Sequence, residues 1–290
     1  MGYVRSDRIC AGVVTYRPDI RMLEENLNAL VPQVSKVFVI DNGSPNLKEI
    51  KTLLCCFDHI KLFCNKENLG ISKALNQLCE MAVQDGCQWI LTMDQDSVCM
   101  PGMVDALSQY TGDPTFGIIA PRVEFWSDGT MILETKDGDK ETTEVPACIT
   151  SGSLTRLSAW QELGGFDEWF FIDMVDNEFC THLKTCGYRV LRVNKAVIHQ
   201  HAGKMKYVKL PMMGNVLLPY YDAKRNYSIC RNTVYYIRKY RHAIDYRHQF
   251  IVFVYSQFIK LLFESGRWST LRSTFRGIRD GMKKIIEDTN

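Results

Sequence analysis

The sequence predicts an α/β fold, a doubly wound and mostly parallel sheet flanked by helices, with a basic helical extension towards its C-terminal end. Two observations predict it. Over the first 120 residues, short β-branched apolar runs alternate with helical patterns, the order that buries a parallel sheet under helices on both faces. Charge is also divided along the chain. Residues 1–203 carry 18 Lys and Arg against 27 Asp and Glu, net −9, while residues 204–290 carry 17 against 6, net +11.

Strands are expected at Ile9–Thr15, Val37–Ile40, Ile60–Phe63, Trp89–Met93 and Phe116–Ala120, and helices at Ile20–Leu30, near Leu47–Leu54, at Ile71–Val83 and after Pro101. Ala74, Leu75, Leu78, Cys79 and Ala82 recur at helical spacing and form a face for the sheet. Asp128-Gly129 and Asp137-Gly138 are turn signals that suggest a hairpin within residues 122–147. A small-residue turn at Ser151-Gly152-Ser153, a helix near Arg156–Leu163 and a turn at Gly164-Gly165 follow. A helix from about Met174 to Thr185 ends at Gly187, a strand pair reaches Ile198, and the pattern beyond Pro219 is helical. The division expected is a catalytic domain over residues 1–203, with halves 1–98 and 99–203, and a basic aromatic helical region over 204–290.

With 46% hydrophobic and 23% charged residues, the composition is globular and excludes disordered or low-complexity classes. Eleven cysteines, an odd number with no Cys-x-x-Cys pair, read as reduced thiols of a cytosolic protein. No long apolar run follows the first residues as a cleaved signal would require, and Ile251–Phe263 is too short to span a bilayer, although it can lie on one.

Ligands of doubly wound sheets bind at the carboxyl ends of the strands. Three polar clusters sit there: Asp41-Asn42-Gly43-Ser44, Asn65 through Gly70, and Asp94-Gln95-Asp96-Ser97. Taken singly, each could be a turn or a helix cap. Asp94 and Asp96 ask for more, because two carboxylates closing an apolar strand repel each other unless a cation or proton intervenes. Mg²⁺ or Mn²⁺ prefers such oxygens and leaves positions for substrate phosphates, which makes a nucleoside diphosphate group the natural second ligand.

These residues, with Val13-Val14-Thr15-Tyr16, Asn68-Leu69-Gly70, Gly164-Gly165-Phe166-Asp167-Glu168 and Asp173-x-x-Asp176-x-Glu178, resemble in order and spacing the family 2 glycosyltransferases of GT-A fold. Phe171-Ile172-Asp173-Met174-Val175-Asp176 and Arg225-Asn226-Tyr227-x-x-x-Arg231-Asn232 look most like bacterial rhamnosyltransferases. The resemblance implies that Thr15, Tyr16 and Asp41 hold the base and ribose of a nucleotide sugar, with Asn68 and Gly70 lining the pocket. It implies that Asp94 and Asp96 hold the metal on the diphosphate and that Asp176 is the catalytic base, with Asp173 a competitor for that role. Gly165, Phe166, Asp167 and Asp173 would contribute to the acceptor site. A histidine before a glycine, here His199 in preference to His201 before Gly203, would be a further metal or diphosphate contact. Arg225 and Arg231 would contact the donor diphosphate.

The activity so implied is an inverting, metal-dependent transfer of L-rhamnose from dTDP-L-rhamnose to a lipid-linked saccharide, in bacterial surface polysaccharide assembly. A UDP-hexose or UDP-N-acetylhexosamine donor is the nearest alternative within the class. A nucleotidyltransferase also pairs metal-binding aspartates with a nucleotide, but it lacks here a glycine- and basic-rich triphosphate loop and leaves Asp176 idle. The basic aromatic tail carries no nucleic-acid-binding signature, so an anionic membrane surface is its expected partner, placing the protein peripherally on the cytoplasmic face of the inner membrane.

Overall fold

The computed structural model describes residues 9–127, 130–135, 140–202, 205–210, 214–219, 223–263 and 266–286; for 205–210 and 214–219 it describes the backbone. The turns expected at Asp128-Gly129 and Asp137-Gly138 lie outside the described residues. The chain divides into two units, residues 1–171 with 175–201 and residues 172–174 with 202–290.

In the first unit the elements run β1 (Ile9–Thr15), α1 (Ile20–Leu30), β2 (Val37–Asp41), α2 (Leu47–Leu54), β3 (Ile60–Cys64), α3 (Ile71–Gln84), β4 (Trp89–Asp94), β5 (Val98–Cys99) and α4 (Met103–Ser108). They continue as β6 (Phe116–Ser127), β7 (Thr130–Glu134), β8 (Thr142–Glu144), β9 (Ser153–Arg156), α5 (Leu157–Glu162), α6 (Val175–Thr185) and β10 (Arg189–His201). The sheet order is β3-β2-β1-β4-β9-β6-β10-β5, with β7 on β6 and β8 on β10. β1 is parallel to both β2 and β4, β2 to β3, and β6 to β10. Every residue of β1 and β2 is buried, as strands covered on both faces must be. The apolar stripe of α3 (Ala74, Leu75, Leu78, Cys79, Ala82) is buried as its spacing requires. Asp19 caps α1, accepting from the Arg21 and Met22 amides.

Three expectations are corrected. Ser153 opens a strand, β9, set antiparallel between β4 and β6; four residues rich in Ser and Thr after a glycine gave no strand pattern. The strand pair ending at Ile198 is one strand, β10, whose register slips between Val193 and Val197. Asn194 and Lys195 lie in the bulge, where the Asn194 backbone and side-chain amides find the Glu141 and Lys140 carbonyls. The segment 122–147 is not a simple hairpin, since β7 pairs β6 while β8 pairs β10. The helix expected from about Met174 to Thr185 runs Val175–Thr185, after Asp173 and Met174, which both have left-handed backbone, φ +65° and +66°.

The second unit opens with an antiparallel pair, β11 (Met205–Leu210) and β12 (Gly214–Pro219), where a purely helical region was expected. Helices α7 (Ala223–Lys239), α8 (Tyr246–Phe263) and α9 (Arg267–Lys283) follow. Among the described residues no helix is long and apolar enough to cross a membrane.

Candidate active site

At the carboxyl edge of the sheet, the register sets Thr15 beside Asp41 and Val14 beside Asp94. The Thr15 hydroxyl donates to Asp41 Oδ1 at 3.1 Å and the Ser44 amide donates to Oδ2 at 2.9 Å. Asp41 is fully buried, and its carboxylate ties the ends of β1 and β2 together. Tyr16 is exposed, and its amide donates to Gln95 Oε1 at 2.8 Å.

Asn42, which drew no attention as a side chain in the sequence, joins three segments. Its amide donates to Asn68 Oδ1 at 3.0 Å and to the Gly70 carbonyl at 3.1 Å, and its oxygen accepts from the Leu69 amide and from Asn65. Asn68 and Gly70 therefore sit at this edge as expected. Gly70 has φ +88°, and a Cβ there would fall 2.7 Å from the Phe171 ring, so the close approach that demands glycine is to this chain's own Phe171.

The acidic cluster lies at the end of β4. Burial, then the charges of Asp96 and Asp176, push Asp94 up to about 6, and the hydrogen bond from Gln200 Nε2 to Oδ2 at 3.2 Å opposes this. Burial also raises Asp96, against a lowering by His201. The charges that act on Asp94 thus come from the turn after β4 and from the first turn of α6. The helix end favours negative charge at Asp176. A network holds the turn in place: Asn26 Nδ2 donates to the Asp94 and Ser97 carbonyls, Ser151 accepts from the Asp94 amide, and Ser97 donates to Gln200. Asn26, Ser97, Ser151 and Gln200 are positioning residues that sequence reading missed, because their partners lie 54 to 106 residues away.

The donor set suits a hard divalent cation. Among the described residues no three His, Cys, Asp or Glu side chains form a complete cage, and two carboxylates alone leave coordination positions for phosphate oxygens. His199 Nε2 meets Glu124 at 3.1 Å and its ring lies 5.0 Å from Trp126. The β5–β10 register pairs His199 with Val98, so its continuation sets Gln200 by Ser97 and His201 by Asp96.

Asp176 accepts from the Asn177 amide at 2.9 Å and lines a pocket of about 210 Å³ with Ile118, Cys148, Ile149, Phe166 and Cys180. Phe166 is buried and stacked on Phe179, with centroids 4.1 Å apart, so it shapes the pocket from behind. Gly165, at φ +89°, would place a Cβ 2.7 Å from Asn76 Oδ1. Asn76 pins this loop: its oxygen accepts from the Phe166 amide and Trp160 Nε1, and its amide donates to the Phe166 carbonyl. Asp167 accepts from the Trp169 amide and organises the following turn.

The sequence matches the model of glycosyl transferase family 2 over residues 10–164, more than half of the chain. The chain belongs to glycosyl transferase family 2. Among curated members, a dTDP-rhamnosyl transferase, RfbF, of Shigella flexneri is 28% identical over 252 residues, covering 81% of each chain. An N-acetylglucosaminyl-diphospho-decaprenol L-rhamnosyltransferase of Mycobacterium tuberculosis is 25% identical, covering 65% of this chain and 74% of its own. Among solved structures, Staphylococcus aureus TarS 1-349 in complex with UDP-GlcNAc aligns with a TM-score of 0.62 at 13% identity, over 95% of this chain and 81% of that one. GalNAc-T7 with UDP, GalNAc and Mn²⁺ aligns with a TM-score of 0.60 at 14% identity, over 79% of this chain and 47% of that one, so this chain spans about half its length. The fold is the GT-A fold of these glycosyltransferases.

The family match ends at residue 164, before Asp173, Asp176 and the second unit. In that second unit of the glycosyltransferase, Asp173 Oδ1 pairs with Arg225 Nη2 at 3.0 Å. The Asn232 amide donates to the Ile172 and Asp173 carbonyls at 2.7 and 3.0 Å. Arg225 and Asn232 thus clamp the left-handed pair that precedes α6. Arg231 donates to Asn232 and lies over the Tyr227 ring, which gives it a structural use within α7.

Proposed function

We propose that this glycosyltransferase moves L-rhamnose from dTDP-L-rhamnose to a hydroxyl of a lipid-linked saccharide, with inversion at the anomeric carbon. The observation that carries the reading is the similarity to the Shigella flexneri dTDP-rhamnosyl transferase over four fifths of both chains, together with the acidic cluster at the end of β4. The relative named for a diphospho-decaprenol acceptor supports the lipid-linked class, and the reaction then belongs to assembly of a bacterial surface polysaccharide.

Asp94 and Asp96 would hold Mg²⁺ or Mn²⁺, which when bound offsets the negative charge of the departing dTDP. Asp176 takes the proton of the acceptor hydroxyl as that oxygen attacks, and the Asn177 amide at its Oδ1 fixes the carboxylate's orientation. The pocket behind Asp176, walled by Ile118, Ile149 and Phe166, limits water near the reacting centre. Exposed Tyr16 offers a ring to the base, and Asn68 and Gly70 wall the nucleotide side. The net charge of +11 over residues 204–290, with no nucleic-acid-binding signature beside it, supports peripheral residence at an anionic cytoplasmic membrane surface, close to such an acceptor.

The test is a panel of nucleotide sugars with Mg²⁺ or Mn²⁺, reading nucleoside diphosphate release with and without a lipid-linked acceptor. Acceptor-dependent release from dTDP-L-rhamnose is expected. Release from a UDP-hexose or UDP-N-acetylhexosamine alone would replace the donor, and pyrophosphate release from a nucleoside triphosphate would replace the class.

A further inference from the structure

Helices α8 and α9 of the C-terminal unit carry apolar stripes on their exposed faces. On α8, Phe250, Ile251, Tyr255 and Phe258 are each more than half exposed, and the last three share one broad face at i, i+4 and i+7 spacing, with Phe250 at its edge. On α9, Trp268, Phe275 and Met282 repeat every seven residues, with exposures of 84%, 65% and 55%. The faces turned inward mix apolar side chains, Phe253 and Ile259 of α8 and Tyr235 and Tyr236 of α7, with polar or small ones. Asn226 of α7 donates to Ser273 Oγ at 3.1 Å and to Thr274 Oγ1 at 2.9 Å, and Thr274 donates in turn to Gln257 Oε1 at 3.2 Å. Gly277 and Gly281 lie directly against the α7 backbone. Water drives apolar side chains inward, and single exposed ones need no explanation. Continuous apolar stripes on the outside of two helices, with hydroxyls, amides and a Gly-x-x-x-Gly step among the interior contacts, suit helices that meet lipid.

We propose that the outer faces of α8 and α9 insert into the interfacial layer of an anionic bilayer, so that the apolar stripes, more than the basic charge, anchor the protein. α8 has 18 residues, about 27 Å of helix, and would lie in the membrane plane. Exposed Arg272, Arg276 and Lys283 stand beside the α9 stripe, where they suit anionic headgroups. In a two-fold self-interface the same cations would meet their own copies, which favours lipid over a second chain. The inference rests on the membrane residence proposed above and identifies the surface responsible for it.

The experiment uses the full chain in flotation with vesicles of phosphatidylethanolamine and phosphatidylglycerol, at low and high salt. A double substitution, Ile251→Ser with Phe258→Ser, is compared with Arg272→Gln with Arg276→Gln, all at exposed positions. The wild type should float, and part of its binding should persist at high salt. The apolar pair should lower partitioning about a hundredfold, at roughly tenfold per side chain. The arginine pair should lower it less and leave the remaining binding less sensitive to salt. Thermal melting and dTDP release with a soluble acceptor should match wild type for both variants. Wild-type flotation unchanged by the apolar pair overturns the inference while leaving membrane residence standing. Absence of flotation, with a concentration-dependent dimer that the apolar pair dissolves, overturns both and assigns the stripes to self-association. Neither result bears on sugar transfer, which the acceptor assay reads separately.

Discussion

Replacing Asp94 by asparagine in metal-free protein should stabilise the fold at neutral pH. The Asp94 carboxyl is raised from the ordinary 3.8 to about 6 by burial and by Asp96 and Asp176. The folded state therefore binds a proton more tightly than the unfolded chain, so this group's contribution to stability is fully present below pH 4 and is lost as pH rises through 4 to 6. A shift of this size corresponds to at most about 3 kcal/mol of electrostatic cost at pH 7.5, at 1.36 kcal/mol per unit. The substituted amide carries no charge, and its oxygen can still accept from Gln200 Nε2, which donates to the carboxylate in the wild type. Urea unfolding in EDTA should show Asp94→Asn more stable than wild type by up to about 3 kcal/mol at pH 7.5, and equal to it at pH 4. Adding Mn²⁺ should stabilise the wild type and leave the variant unchanged, because ligand that binds the folded state alone shifts the equilibrium by mass action. A variant destabilised equally at both pH values would refute the reasoning, since Asp94 would then be a structural acceptor like Asp41.

Three further outcomes follow from the geometry. Asp176→Asn should reduce turnover by at least about a thousandfold in the acceptor-dependent release assay while leaving dTDP affinity within about twofold, as loss of a general base requires. Asn76→Ala should destabilise by roughly 3–5 kcal/mol in urea unfolding, because it strands the Trp160 indole N–H and both backbone groups of Phe166 in a buried loop. His201→Ala should weaken Mn²⁺ binding more than His199→Ala, as measured by titration, since His201 faces Asp96 and His199 is held by Glu124.

Elements that bury one long apolar pattern were legible in the sequence: β1 and β2, whose residues are all buried, and α3, whose stripe meets the sheet. Elements whose burial depends on distant partners were not. β9 is four residues of Ser, Leu, Thr and Arg, and it is a strand only because β4 and β6 flank it. The polar step at Asn194 concealed the continuity of β10, because its hydrogen bonds go to residues some fifty positions earlier. At the site, Asp94 and Asp96 could be named because two carboxylates closing an apolar strand have a cost that chemistry must offset, and Asp176 through the family resemblance. Gln200 and Ser151 could not, because an amide or hydroxyl in a strand or turn has no sequence signature until its partner is known. Spacing alone set His199 and His201 on one side, and only the β5–β10 register separates them. The left-handed backbone at Asp173 and Met174 was likewise invisible, since nothing in their spacing signals it and Asn232, some sixty residues later, supplies the clamp.

The central claim is that Asp94 and Asp96 hold a divalent cation for a nucleoside diphosphate beside Asp176. Calorimetric titration of dTDP into the protein, with Mn²⁺ and with EDTA, tests it most directly. Binding that needs Mn²⁺ in the wild type, is lost in Asp96→Ala and survives in Asp176→Asn is the predicted result. Equal dTDP affinity with Mn²⁺ and EDTA, unchanged in Asp96→Ala, would contradict it.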